Sequence, residues 1–78
     1  MTNKYRIGDI VYVDDIYTLP YIGVVDMLYP DGYGSYLYNI KKLKNKASYT
    51  EQIQEEVSEM YIRLATDKDY DMFKYIHL

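Results

Sequence analysis

Tyr21-Ile22-Gly23-Val24-Val25-Asp26-Met27-Leu28-Tyr29, then Pro30-Asp31-Gly32-Tyr33-Gly34, then Tyr36-Leu37-Tyr38-Asn39-Ile40: this stretch decides the fold class. Two runs rich in β-branched and aromatic residues flank a short segment in which Asp and Gly tolerate the positive φ angles of a tight turn. The stretch therefore reads as a β-hairpin. On its return strand Tyr36, Tyr38 and Ile40 share one face.

Upstream, residues 4–13 read as a further strand, with Tyr5, Ile7, Val11 and Val13 on one side and Ile10 and Tyr12 on the other. Gly8-Asp9 interrupts it, as a glycine at a bulge or bend does. Residues 14–20, from Asp14-Asp15 to Pro20, form a loop with Tyr17 and Tyr21 near its tip. Downstream the period changes. Ser48 with Glu51 matches a helix capping box, and Tyr49, Ile53, Val57 and Met60 recur at helical spacing, so residues 48–57 are expected as a short helix or ordered loop. Residues 59–65 alternate like a strand. Thr66 with Asp69 repeats the capping pattern ahead of a terminal helix over about 67–76.

Seventy-eight residues make one domain, since so short a chain cannot support two cores. Twelve residues are tyrosine, against one Phe (Phe73), no Trp and no Cys. Without cysteine there is no disulfide, thiolate catalyst or thiolate metal site, and a reducing, cytoplasmic location is expected. The N-terminus leads directly into the strand pattern with charges at Arg6 and Asp9, so neither a signal peptide nor a membrane span is expected. Richness in Tyr, Lys, Ile, Asn and Asp is the composition of an AT-rich genome, which points to a low-GC bacterium, or to a phage or mobile element living in one.

The order Gly8-Asp9-Ile10-Val11-Tyr12-Val13, Gly23-Val24-Val25, Asp31-Gly32 with Tyr36-Leu37-Tyr38, and Met60-Tyr61-Ile62-Arg63-Leu64 resembles the strand pattern of small Src-homology-3-type barrels, including the Tudor and KOW kinds, as found in short phage and prophage proteins. The resemblance covers residues 4–65 and implies a mainly β fold, a small barrel of four or five strands with the C-terminal helix added. It says little of function, because such barrels host unrelated activities. A Tudor-type reader would need an aromatic cage, and no cage motif can be assigned to these tyrosines.

The catalytic inventory is thin. His77 is the only histidine and stands next to the C-terminal residue; Ser35, Ser48 and Ser58 have no nucleophile context; Asp14-Asp15 and Glu55-Glu56 are adjacent carboxylates of the ordinary solvated kind. No metal-ligand spacing and no phosphate-binding glycine motif is present. No enzymatic activity and no cofactor are expected.

Twelve tyrosines exceed what so small a core can hold, so some must stand on the surface, where such rings make binding anchors. The net charge is −3, and Lys41, Lys42, Lys44 and Lys46 form a basic connection between two acidic regions. Two binding surfaces follow. The first joins Tyr17, Tyr21, Tyr29 and Tyr33 to Asp14, Asp15 and Asp31, aromatic anchors with an acidic rim suited to a basic protein partner, whose nucleic-acid site such carboxylates could occupy and inhibit. The second joins Tyr36 and Tyr38 to Lys41, Lys42, Lys44 and Lys46, stacking platforms beside phosphate-binding charge, the arrangement of a single-strand nucleic-acid binder. An acidic chain, with pI near 4.9, opposes the second elsewhere on its surface. A second copy of the chain is a further partner that a tyrosine-rich surface admits.

Overall fold

The central hairpin is longer than its sequence pattern. In the computed structural model, which describes residues 4–45 and 48–76 and only the backbone of 45 and 72–76, β2 spans Tyr21–Pro30 and β3 spans Tyr36–Asn45, joined by the turn at residues 31–35. The Asp31 carboxylate builds that turn by accepting the backbone N–H groups of Tyr33 at 2.7 Å and Ser35 at 3.1 Å. Gly32 and Gly34, at φ 86° and 92°, take the left-handed positions that other residues reach only with strain.

β1, Ile10–Val13, begins later than the sequence pattern suggests, because Gly8 takes φ 97° and the Asp9 carboxylate accepts the Arg6 N–H at 2.9 Å, which turns the chain before the strand starts. Tyr5, freed from the strand, tucks into the core and donates its hydroxyl to the Ile62 carbonyl at 2.6 Å. The basic stretch also differs from expectation: Lys41, Lys42 and Lys44 extend β3 and do not form a connection.

Residues 48–57 are neither helix nor loop. They belong to β4, Ser48–Ser58, which pairs antiparallel with β3 through Leu43↔Tyr49, Lys41↔Ile53, Ile40↔Gln54 and Tyr38↔Val57. The physical reason lies in the spacing. Tyr49 and Ile53 stand four residues apart, close to the helical period but also an even number, so in β4 they share a side, opposite Leu43 and Lys41, whereas the register shift between Tyr38 and Ile40 brings Val57 opposite Tyr38 on the core side. Pairing with β3 selects the strand. Thr50, whose hydroxyl donates to the Lys42 carbonyl at 3.0 Å and accepts the Gln52 N–H at 3.1 Å, stabilises one irregularity; Glu56, at φ 56°, marks another.

A single 3-10 turn at Glu59–Tyr61 leads into β5, Ile62–Leu64, and α1 follows at Asp67–Ile76. All pairings are antiparallel, in the order β4-β3-β2-β1-β5. The sheet is open, with β4 and β5 as its edges, so the closure of a barrel is not part of this pairing.

One face of the sheet carries Val11, Val13, Tyr21, Val25, Tyr38, Ile40 and Val57, all buried, with Tyr5 and Ile62 in the same cluster. The Tyr5 and Tyr38 rings meet edge to face at 5.6 Å. Ile22 and Leu43 are buried on the opposite face, and α1 lies against β2 and β3. The helix is fastened by Asp69, which accepts the Thr66 N–H at 2.7 Å in the capping arrangement and receives both guanidinium nitrogens of Arg63 at 2.6 Å. Arg63 in turn lies 4.2 Å over the Tyr12 ring.

Candidate interaction site

The first surface read from the sequence is split by the topology. Loop 14–20 joins Val13 to its partner Tyr21 at the start of β2, whereas turn 31–35 joins Pro30 to its partner Tyr36 at the other end. A ten-residue strand at about 3.3 Å per residue spans roughly 30 Å. Successive hairpins of a meander necessarily lie at opposite ends of the strand they share. Asp14, Asp15 and Tyr17 therefore form one group, and Tyr29, Asp31 and Tyr33 another.

Tyr21 belongs to neither. Its ring is buried, its hydroxyl donates to the Gln54 side-chain oxygen, and Lys42 sits 4.7 Å above the ring. Burial, and secondly the charge of Asp15, push the Tyr21 hydroxyl well above the ordinary tyrosine pKa. The Gln54 amide then donates to Asp15 at 3.0 Å, so Tyr21 and Gln54 together fasten loop 14–20 to β4. The loop is held at a second point by the Asp14 N–H, which donates to the Tyr61 carbonyl of the 3-10 turn at 2.9 Å.

What this fastened loop presents is apolar. Ile16 is 75% exposed, Tyr17 84% and Leu19 80%, beside the carboxylates of Asp14 and Asp15, with the Asp15 side chain also accepting the Tyr17 N–H at 2.5 Å. Met60, next to Tyr61, is exposed as well. Ile16, Leu19, Met60 and Gln54 were not legible as site residues. Isolated Ile, Leu and Met read as core, and only the absence of any alternating pattern in residues 14–20 could have pointed to their exposure.

The second surface also comes apart. Tyr38 is wholly buried, and its hydroxyl donates to Glu59 at 2.5 Å; desolvation first, then this bond, hold its proton past the ordinary tyrosine range. It is a core residue and no stacking platform. Tyr36 is half-buried against the core. Lys42 is engaged over Tyr21, Lys41 is half-buried, Lys44 is exposed, and Lys46 and His77 lie outside the described residues.

Among the described residues no group of three or more His, Cys, Asp or Glu side chains is placed to hold a metal ion, and no helix is long and apolar enough to cross a membrane. Comparison with protein families, with curated proteins and with solved structures finds no match to this chain.

Proposed function

We propose that this chain is a small, non-catalytic protein-binding module that docks through loop 14–20. The observation that carries the reading is the exposure of Ile16, Tyr17 and Leu19 together on a loop fastened at two points, by Gln54 and by the Tyr61 carbonyl. An apolar loop already held in shape loses little entropy when it binds. Its carboxylates, Asp14 and Asp15, favour a basic partner surface, steering approach while Ile16, Tyr17 and Leu19 supply contact area. The strand order, with β1 between β2 and β5 and a 3-10 turn ahead of β5, supports reading the sheet as a small barrel of the Src-homology-3 type. A chain of phage or mobile-element origin would meet its partner in the host, where docking of this kind could block a nucleic-acid site.

Affinity capture with the wild type and with a Tyr17→Ala, Leu19→Ser variant tests the reading. The variant should lose partner affinity by on the order of 1–3 kcal/mol with an unchanged circular dichroism spectrum, as hot-spot positions do. Equal recovery of one partner by both proteins would exclude the loop. Tight, salt-sensitive binding of a labelled single-stranded oligonucleotide would instead favour the nucleic-acid reading.

A further inference from the structure

The half of the sheet remote from loop 14–20 carries charge of one sign. Residues 26–40 and 55–59, which make up this half, hold five acidic side chains, Asp26, Asp31, Glu55, Glu56 and Glu59, and no lysine or arginine. In this half Leu28 pairs with Tyr38 and Tyr38 with Val57, and all three are core residues or rest against the core. Strand alternation turns Tyr29, Leu37 and Ser58, themselves cross-strand partners, to the other face. Tyr29 and Leu37 are half-buried and lie outside the core cluster, while Met27, opposite Asn39, is 52% exposed. The fastening of α1, through Asp69 to Arg63 and Tyr12, lies at the other end of the sheet.

The carboxylates stand close to this apolar strip. The Tyr29 hydroxyl is pushed above its ordinary pKa by desolvation and then by Glu56 and Glu55. Glu56 holds a left-handed φ of 56°, with its N–H donated to the Asn39 side-chain oxygen at 3.2 Å. Glycine would take that conformation without strain.

We infer that Met27, Tyr29 and Leu37, within the rim of Asp26, Asp31, Glu55 and Glu56, form a docking face for an amphipathic basic segment of another protein, separate from loop 14–20. The charge selects the occupant. A second copy would set two rims of the same sign against each other, and a nucleic acid would be repelled, whereas alternating lysine and apolar side chains match both the carboxylates and the strip.

Fluorescence anisotropy at low salt, with a short labelled peptide of alternating lysine and valine and with one of lysine and serine of equal length and charge, tests the assignment. The valine peptide should bind roughly tenfold more tightly, a difference of about 1.4 kcal/mol. Tyr29→Ser, and separately Asp26→Lys with Glu55→Lys, should each weaken it by a similar factor, whereas Tyr17→Ala should leave it unchanged. Glu56→Gly should keep or raise the melting temperature while weakening the peptide, so loss of binding is not mistaken for loss of fold. Equal affinity for the two peptides, binding to neither, loss on Tyr17→Ala, or self-association removed by Tyr29→Ser would each overturn the proposal. The loop reading, tested through Tyr17 and Leu19, stands or falls separately.

Discussion

Asp69 receives the Arg63 guanidinium through both carboxylate oxygens, Nη1 to Oδ2 and Nη2 to Oδ1, each at 2.6 Å, and this bidentate bridge joins β5 to α1. Arg63, then the Thr66 N–H and hydroxyl, hold the Asp69 carboxyl at about 2, against the opposing effect of its burial. The folded pKa lies below the unfolded one, so the bridge contributes its full stability above pH ~4 and loses it as pH falls through about 2. The unfolding free energies of wild type and Asp69→Asn from urea titration should therefore differ by about 1–2 kcal/mol at pH 6, allowing for the half-exposed Arg63, and converge near pH 2. A gap that stays constant with pH would show that Asp69 does not act through its charge.

At alkaline pH the sign reverses. Tyr21 and Tyr38 keep their protons in the fold beyond the ordinary tyrosine value of 10.0, both first through burial. Their contribution is whole below pH ~10 and falls as pH rises past that point, because the unfolded chain ionises first. A titration of tyrosinate absorbance should show a cooperative late step coinciding with unfolding. A smooth, non-cooperative curve for all twelve tyrosines would contradict the burial of these two rings.

Gly23 lies hard against β3. A Cβ there would run into the Ile40 Cγ2 and stand 2.7 Å from the Lys41 carbonyl oxygen, and the backbone atom cannot move aside without breaking the pairing. Gly23→Ala should cost about 2–3 kcal/mol by thermal or urea unfolding, the upper part of the overpacking range. Gly32→Ala meets no neighbouring atom and costs only through its φ of 86°, about 1 kcal/mol. The reverse ranking would mean that the two strands can separate locally at little cost.

Gln54 tests whether the docking loop is held in shape. Gln54→Leu removes the bonds to Tyr21 and Asp15, leaves the buried Tyr21 hydroxyl to find another acceptor, and should cost on the order of 1–2 kcal/mol. Hydrogen exchange in residues 14–20 should rise while that of β1 and β2 is unchanged. Uniform acceleration over the whole sheet would show Gln54 to be a general stabiliser with no particular hold on the loop.

Local chemistry alone placed a turn at residues 30–34, within one residue of its position, through Asp31 and the glycines at 32 and 34, and the start of α1, through Thr66 and Asp69. These signals are complete within five residues, so no distant contact is needed to read them. Residues 48–57 were not legible. Their four-residue spacing suits helix and strand alike, and only pairing with β3 chose between them. Exposure was harder still. Tyr17, Tyr21, Tyr33 and Tyr38 are the same side chain, yet Tyr33 is 93% exposed and Tyr38 wholly buried. The sequence by itself determined a β-rich chain with a surplus of rings, an acidic surface and no thiol chemistry. The tertiary structure decided which rings face water, and it parted Tyr17 from Tyr33, because a strand of ten residues lies between the loops that carry them.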